Sequence, residues 1–187
     1  MPAPAVWRRR RSGERGAVAM ETAIISMMLL MLMAGIIDSS MLFRDSIVVS
    51  AAARAGSRTG SSEPIASTFA TDAAGQALSA MTDLVPGRIT KIWVFKASLT
   101  TGAPASGSGC TSQCVKFTVS SAGVLSSPSG TWSGRNACAG TTQDAVGVLV
   151  EYSHPSTMGF FFNNQVLTET TAMQLEPIPS NLACVSS

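Results

Sequence analysis

From Ala17 to Ile37 the chain is apolar or small at almost every position, and the single charged side chain in the run is Glu21. A helix of roughly 20 such residues rises about 30 Å, the depth of a bilayer's hydrocarbon core. The pattern predicts a transmembrane helix over 17–37. Polarity returns at Asp38-Ser39-Ser40. Beyond it Phe43, Ile47, Ala51 and Ala55 recur at four-residue steps, while Ser50, Arg54 and Arg58 share another face. This is the spacing of an amphipathic helix, so the helix is expected to continue as a stalk over 38–60, packing against a domain or a neighbour. Gly60-Ser61-Ser62 breaks it. A second helix is expected over 63–84, with Ile65, Phe69, Ala73, Ala77 and Met81 on one face and Val85-Pro86-Gly87 ending it.

The period then changes. Residues 88–96, 115–120, 145–152 and 165–175 alternate or are rich in β-branched side chains, and each predicts a strand. Stretches rich in Gly, Ser and Ala at 100–109 and 121–140 predict loops. His154-Pro155 through Asn163-Asn164 predicts the turn between the last two strands, with Phe160, Phe161 and Phe162 tucked under the sheet. The fold class that follows is α+β: a long N-terminal transmembrane helix continuing into a stalk, then a small domain over 61–187 with a helix and an antiparallel sheet. A domain of that size can bury a modest core.

Charge sets an orientation. Arg8, Arg9, Arg10, Arg11 and Arg15 precede the apolar run against one acid, Glu14, and a basic flank of this density stays cytoplasmic. The C-terminal domain is then extracytoplasmic. A removable secretory signal is a poorer description, because the run is long, holds a carboxylate near its start and lacks an A-x-A site before Asp38. The net charge of +2 also belongs to the leader, since the chain without residues 1–16 carries −2. What remains has scattered Lys and Arg with few aromatics, so no nucleic-acid partner is expected. Nor is an enzyme: His154 is the one histidine, and no nucleophile elbow, phosphate loop or paired-carboxylate motif accompanies it. No cofactor or metal is implied. Trp93 and Trp132 are expected to serve packing.

Cys110, Cys114, Cys138 and Cys184 all lie on the translocated side, where disulfides form. Three pairings are possible. If 145–152 and 165–175 form an antiparallel hairpin, the start of the first strand lies beside the end of the second. That brings Cys138 toward Cys184 and leaves Cys110 with Cys114. A zinc site is the competing use, but the spacing is a poor match to zinc-ribbon patterns.

Glu14-Arg15-Gly16-Ala17-Val18-Ala19-Met20-Glu21, the helix beyond it, and Ala51-Ala52-Ala53-Arg54-Ala55-Gly56-Ser57-Arg58 resemble TadE-like proteins, the pseudopilins or minor pilins of the tight-adherence (Flp) type IV pilus system. Val148-Leu149-Val150-Glu151-Tyr152 and the segment from Leu167 to Pro177 are similar to the two closing strands of such proteins. The resemblance implies a pilin-like fold and a prepilin-type leader over 1–16, cut after Gly16 so that Ala17 becomes the N-terminus and Glu21 the fifth mature residue. It implies a prepilin peptidase, other pilin and pilus-assembly subunits and the bacterial inner membrane as partners and place. Met20 and Thr22 flank Glu21 where major pilins of the system often carry an aromatic, which favours a minor subunit. The alternative is an uncleaved, membrane-anchored extracytoplasmic binding or adhesion domain.

Glu21 has its own chemistry. A new ammonium on Ala17 would sit one helical turn from the Glu21 carboxylate, and opposite charges in a low-dielectric setting offset part of each other's burial cost. Between chains, the same pair would set the stagger of stacked helices.

Overall fold

A computed structural model gives the fold, describing residues 12–107, 109–156, 164–179 and 181–186, with side chains from Gly16 onward. The arginines at 8–11, the tryptophan at 7 and the phenylalanines at 160–162 lie outside the described residues. Helix α1 runs unbroken over Ser12–Ser62, and α2 covers Phe69–Ser79. A single 3-10 turn at Pro86–Arg88 leads into strands β1 (Ile89–Ala97), β2 (Cys114–Phe117), β3 (Ala145–His154) and β4 (Gln165–Gln174). The four strands form one antiparallel sheet in the order β2-β1-β3-β4. This is the α+β arrangement expected.

Alternation divides the sheet into two faces. Ile92 and Val94 of β1 stand opposite Val150 and Val148 of β3, and with Val146 and Tyr152 they face the helices. Phe95, Ala97, Cys114 and Ala145 point the other way, into a smaller cluster that Trp93, Leu149 and Ala172 border. The main core therefore lies between the sheet and the C-terminal part of α1 together with α2.

The helical elements depart from expectation in two places. Phe43 and Ile47 do not face the domain, being 68% and 55% exposed. The buried stripe of α1 is Val49, Ala52, Ala53, Gly56, Ser57, Gly60 and Ser61, which is helical spacing offset from the one anticipated. Small side chains win here because the helix must approach the sheet and α2 closely: a Cβ on Gly56 would stand 2.8 Å from the Ala73 carbonyl oxygen and 3.2 Å from a Val148 methyl. Large apolar residues could not fit. Ser57 and Ser61 add hydroxyl bonds to the Thr171 and Gln174 carbonyls of β4, at 2.7 Å and 2.6 Å. Helix α1 from Val49 on is thus part of the domain's core as well as its stalk.

Helix α2 is shorter than the expected 63–84. Pro64 and Ala66 turn their carbonyls to the Arg135 guanidinium, at 2.7 Å and 3.1 Å, and the chain there is a turn, leaving Ile65 exposed. At the other end, tighter bonds from Met81 to Leu78 and from Leu84 to Met81 close the chain toward Pro86. Strand β2 also stops early, at Phe117, because Thr118 is drawn into a turn bonded to Ser126.

The structure pairs Cys138 with Cys184 and Cys110 with Cys114, with Cα separations of 4.8 Å and 5.7 Å. The hairpin register Ala145↔Gln174 brings the flanking segments together, and bridges Asn136↔Val185 and Cys138↔Ile178 lay the C-terminal tail beside residues 136–138. In the chain-entropy model the longer link restrains the unfolded chain by about 4 kcal/mol and the shorter by about 2 kcal/mol.

Candidate functional site

Gly16, Ala17 and Glu21 stand on the free part of α1, where every residue from Gly16 to Met33 is exposed. This helix is long and apolar enough to cross a membrane. Its hydroxyls hide their polarity in the helix itself: Thr22 Oγ1 donates to the Val18 and Ala19 carbonyls at 2.8 Å and 3.0 Å, and Ser26 Oγ to Ala23 at 2.9 Å. Such back-bonding lets Ser and Thr sit in hydrocarbon. Glu21 has no such outlet. Among the described residues of the 17–37 run it is the one side chain whose polar group finds no partner within the fold, and it lies one turn from Ala17 on the same side of the helix. Gly16 is packed against nothing: a Cβ there would meet no atom within 4 Å.

Where the apolar run ends, the domain is fastened to the helix. Asp38 is 1% exposed, and Ser156 Oγ, just beyond β3, donates to its Oδ2 at 3.3 Å. Two turns on, Asp45 Oδ2 stands 2.7 Å from His154 Nδ1 at the end of β3. His154 is itself 3% exposed, so its ring is packed into the fold at the end of β3 and is not a surface turn residue. Burial, and then the charge of Asp45, push the neighbouring Tyr152 hydroxyl above its ordinary pKa. These carboxylates went unread in the sequence. The available signal was their spacing, since Asp38 and Asp45 are one heptad apart and share a helix face on which acids would otherwise be out of place. The effect of the clasp is geometric: β3 and the segment after it are held to α1 just past the apolar run, so the direction of the exposed helix is set by the domain.

The four cysteines are all in disulfides, which leaves no thiol for a metal.

Comparison with known proteins bears on the same helix. Residues 16–58 match the family model described as TadE-like protein, a segment that starts at Gly16 and runs into the buried stripe of the core. No curated protein and no solved structure matches the chain. Over the helix that carries Glu21 and enters the domain, the chain is similar to TadE-like proteins.

Proposed function

We propose that the chain is a minor pilin, or pseudopilin, of a tight-adherence (Flp) type IV pilus system. It inserts through α1 with its arginine-rich end in the cytoplasm, is cut after Gly16 by a prepilin peptidase, and joins other pilus subunits by packing of the exposed helix. Its role is assembly and not catalysis. The observation that carries this reading is Glu21: an unpartnered carboxylate on an otherwise self-satisfied apolar helix, four residues from Ala17. A charge in such a segment marks a functional position, with a partner supplied from elsewhere. Cleavage creates that partner as the Ala17 ammonium, in the same chain or the next one in the assembly.

Gly16 supports the processing step. A glycine inside a helix is unfavourable by about 1 kcal/mol relative to alanine, and no close contact within the fold asks for it. A peptidase that cuts after a residue without a side chain does. N-terminal sequencing of the membrane-purified protein should give Ala17 as the first residue, and Gly16→Leu should leave the chain inserted but uncut. A mature protein beginning at Met1 would favour the permanently anchored binding domain, and one beginning near Ser40 would mean a removed signal.

A further inference from the structure

Between the start of α2 and the segment following β2 lies a cavity of ≈ 350 Å³. Ala70, Thr71, Trp132 and Arg135 line it, and Val115 and Pro128 give it an apolar side. Three independent features of this wall ask for the same kind of ligand.

The first is Arg135. It is 8% exposed, its Nε, Nη1 and Nη2 donate to the carbonyls of Pro64, Trp132 and Ala66 at 2.7, 2.6 and 3.1 Å, and its guanidinium lies 4.5 Å over the Phe69 ring. Those acceptors are neutral. Among the described residues no carboxylate forms an ion pair with Arg135. A guanidinium carries five N–H groups, so each terminal nitrogen keeps one to offer. Burial lowers the Arg135 pKa from its ordinary value, and no neighbouring acid opposes it.

The second is Trp132, 4% exposed and set edge-on to Phe69 with ring centroids 5.3 Å apart. Its indole Nε1 is buried without an acceptor. Orphaned buried donors are rare, because they lose their bond to water and gain none. Trp132 is one of the residues that line the cavity, so an oxygen seated there is a candidate acceptor for this N–H.

The third is the first turn of α2. Thr68 at the N-cap makes no side-chain cap bond, and the amides of Ala70 and Thr71 find no acceptor among the described residues. A helix N-terminus adds partial positive charge to these free N–H groups.

A buried cation without a counter-ion, an indole N–H and two helix amides belong to residues that line one half-apolar cavity. We propose that this cavity binds a carboxylate carried on a small apolar body. A carboxylate matches the single formal charge and presents its oxygens in a plane, as a guanidinium edge requires. Phosphate brings close to twice the negative charge to a site with one cation. A neutral amide supplies acceptors but leaves the cation unopposed. This inference does not rest on the pilus reading.

The test uses the full chain in detergent micelles, titrated with sodium propionate, propionamide or sodium phosphate at ionic strength held by sodium chloride. The readouts are the indole N–H resonance of Trp132, assigned by its loss in Trp132→Phe, and the melting temperature. Propionate should shift the resonance saturably and raise the melting temperature, propionamide should do neither, and phosphate should bind more weakly. Trp132→Phe keeps an aromatic against Phe69 and, read by the melting temperature, should weaken the affinity for propionate about tenfold, the effect of losing one good hydrogen bond. Arg135→Gln should abolish it. N-acetylalanine against propionate separates the two sources of such a group, a peptide carboxyl terminus binding the former more tightly and a free acid the latter. The proposal is overturned by propionate acting no differently from chloride or propionamide, by phosphate binding more tightly than propionate, or by an undiminished response in Trp132→Phe. The last of these decides the matter even where Arg135→Gln fails to fold.

Discussion

Glu151 on β3 shows how single residues are tuned by neighbours that the sequence does not announce. Burial pushes its carboxyl up, but hydrogen bonds from Lys91 Nζ and Thr90 Oγ1, both at 2.7 Å, and the Lys91 charge outweigh that and leave the pKa below its ordinary value. A carboxylate whose folded pKa is depressed contributes stability above its unfolded pKa, and that contribution is lost as pH falls through the carboxylate range. Lys91→Met should therefore flatten the acid limb of the domain's stability curve, measured by urea unfolding from pH 7 down to about pH 3. The effect should be small, since the Lys91 side chain is 42% exposed and solvent screens the pair. An unaltered acid limb would mean that the depression has another source. The His154–Asp45 contact teaches the same lesson about legibility. The solitary histidine was visible as a residue needing an explanation, but its partner lies 109 positions away, and no local pattern links a strand end to a helix two turns past an apolar run. Arg135 was invisible for a related reason, because its partners are backbone carbonyls, which every residue has.

At the scale of elements, periodicity located each helix and strand, but the α1 face it picked out for a domain or a neighbour is not the one the domain uses. Phe43 and Ile47 are the large apolar residues of that stretch, and burial of large apolar groups is the usual rule. Contact distance overrules it here, since the buried stripe is alanine, glycine and serine. Alanine gives little warning, being both the best helix former and a small packer. Glycine separates the two roles. Gly56→Ala places a methyl 2.8 Å from the Ala73 carbonyl oxygen and 3.1 Å from the Ala77 methyl, so it should destabilise the domain by about 1–3 kcal/mol despite better helix propensity. Gly75→Ala, inside α2 with nothing within 4 Å of the new methyl, should stabilise it by about 0.5–1 kcal/mol. Thermal melts of both variants against the parent check the signs, and two shifts in the same direction would mean that close approach is not what the α1 glycine serves. Strand limits were readable where the chain alternates, and less so at β2, where the turn bond between Thr118 and Ser126 decides the end and leaves no period to read.

For the molecule as a whole, the question is what an unbroken helix of 51 residues achieves by joining an apolar half, exposed from Gly16 to Met33, to a half that forms a domain core. Rigid continuity means that any packing of the exposed half on a neighbour also places the domain, and the Asp38–Ser156 and Asp45–His154 contacts remove the freedom a flexible junction would allow. Glu21 is then the residue that distinguishes anchoring from assembly. Replacing a carboxylate by an apolar side chain makes a segment easier to insert, so Glu21→Val should reach the membrane at normal abundance and keep a fully folded domain. On the proposed cleavage and assembly, association should fall, because the Ala17 ammonium would lose its partner and an unpaired charge in a dry helix interface is strongly unfavourable. Restoring a carboxylate with Glu21→Asp should recover association in part, as the shorter side chain reaches the ammonium less well. The measurement is co-purification with other pilus subunits from membranes at matched levels of the three proteins, alongside counts of pili per cell. Equal association and normal pili with Glu21→Val would place the carboxylate in the wet headgroup layer, where water and not a neighbouring chain satisfies it, and would leave the exposed helix an anchor alone.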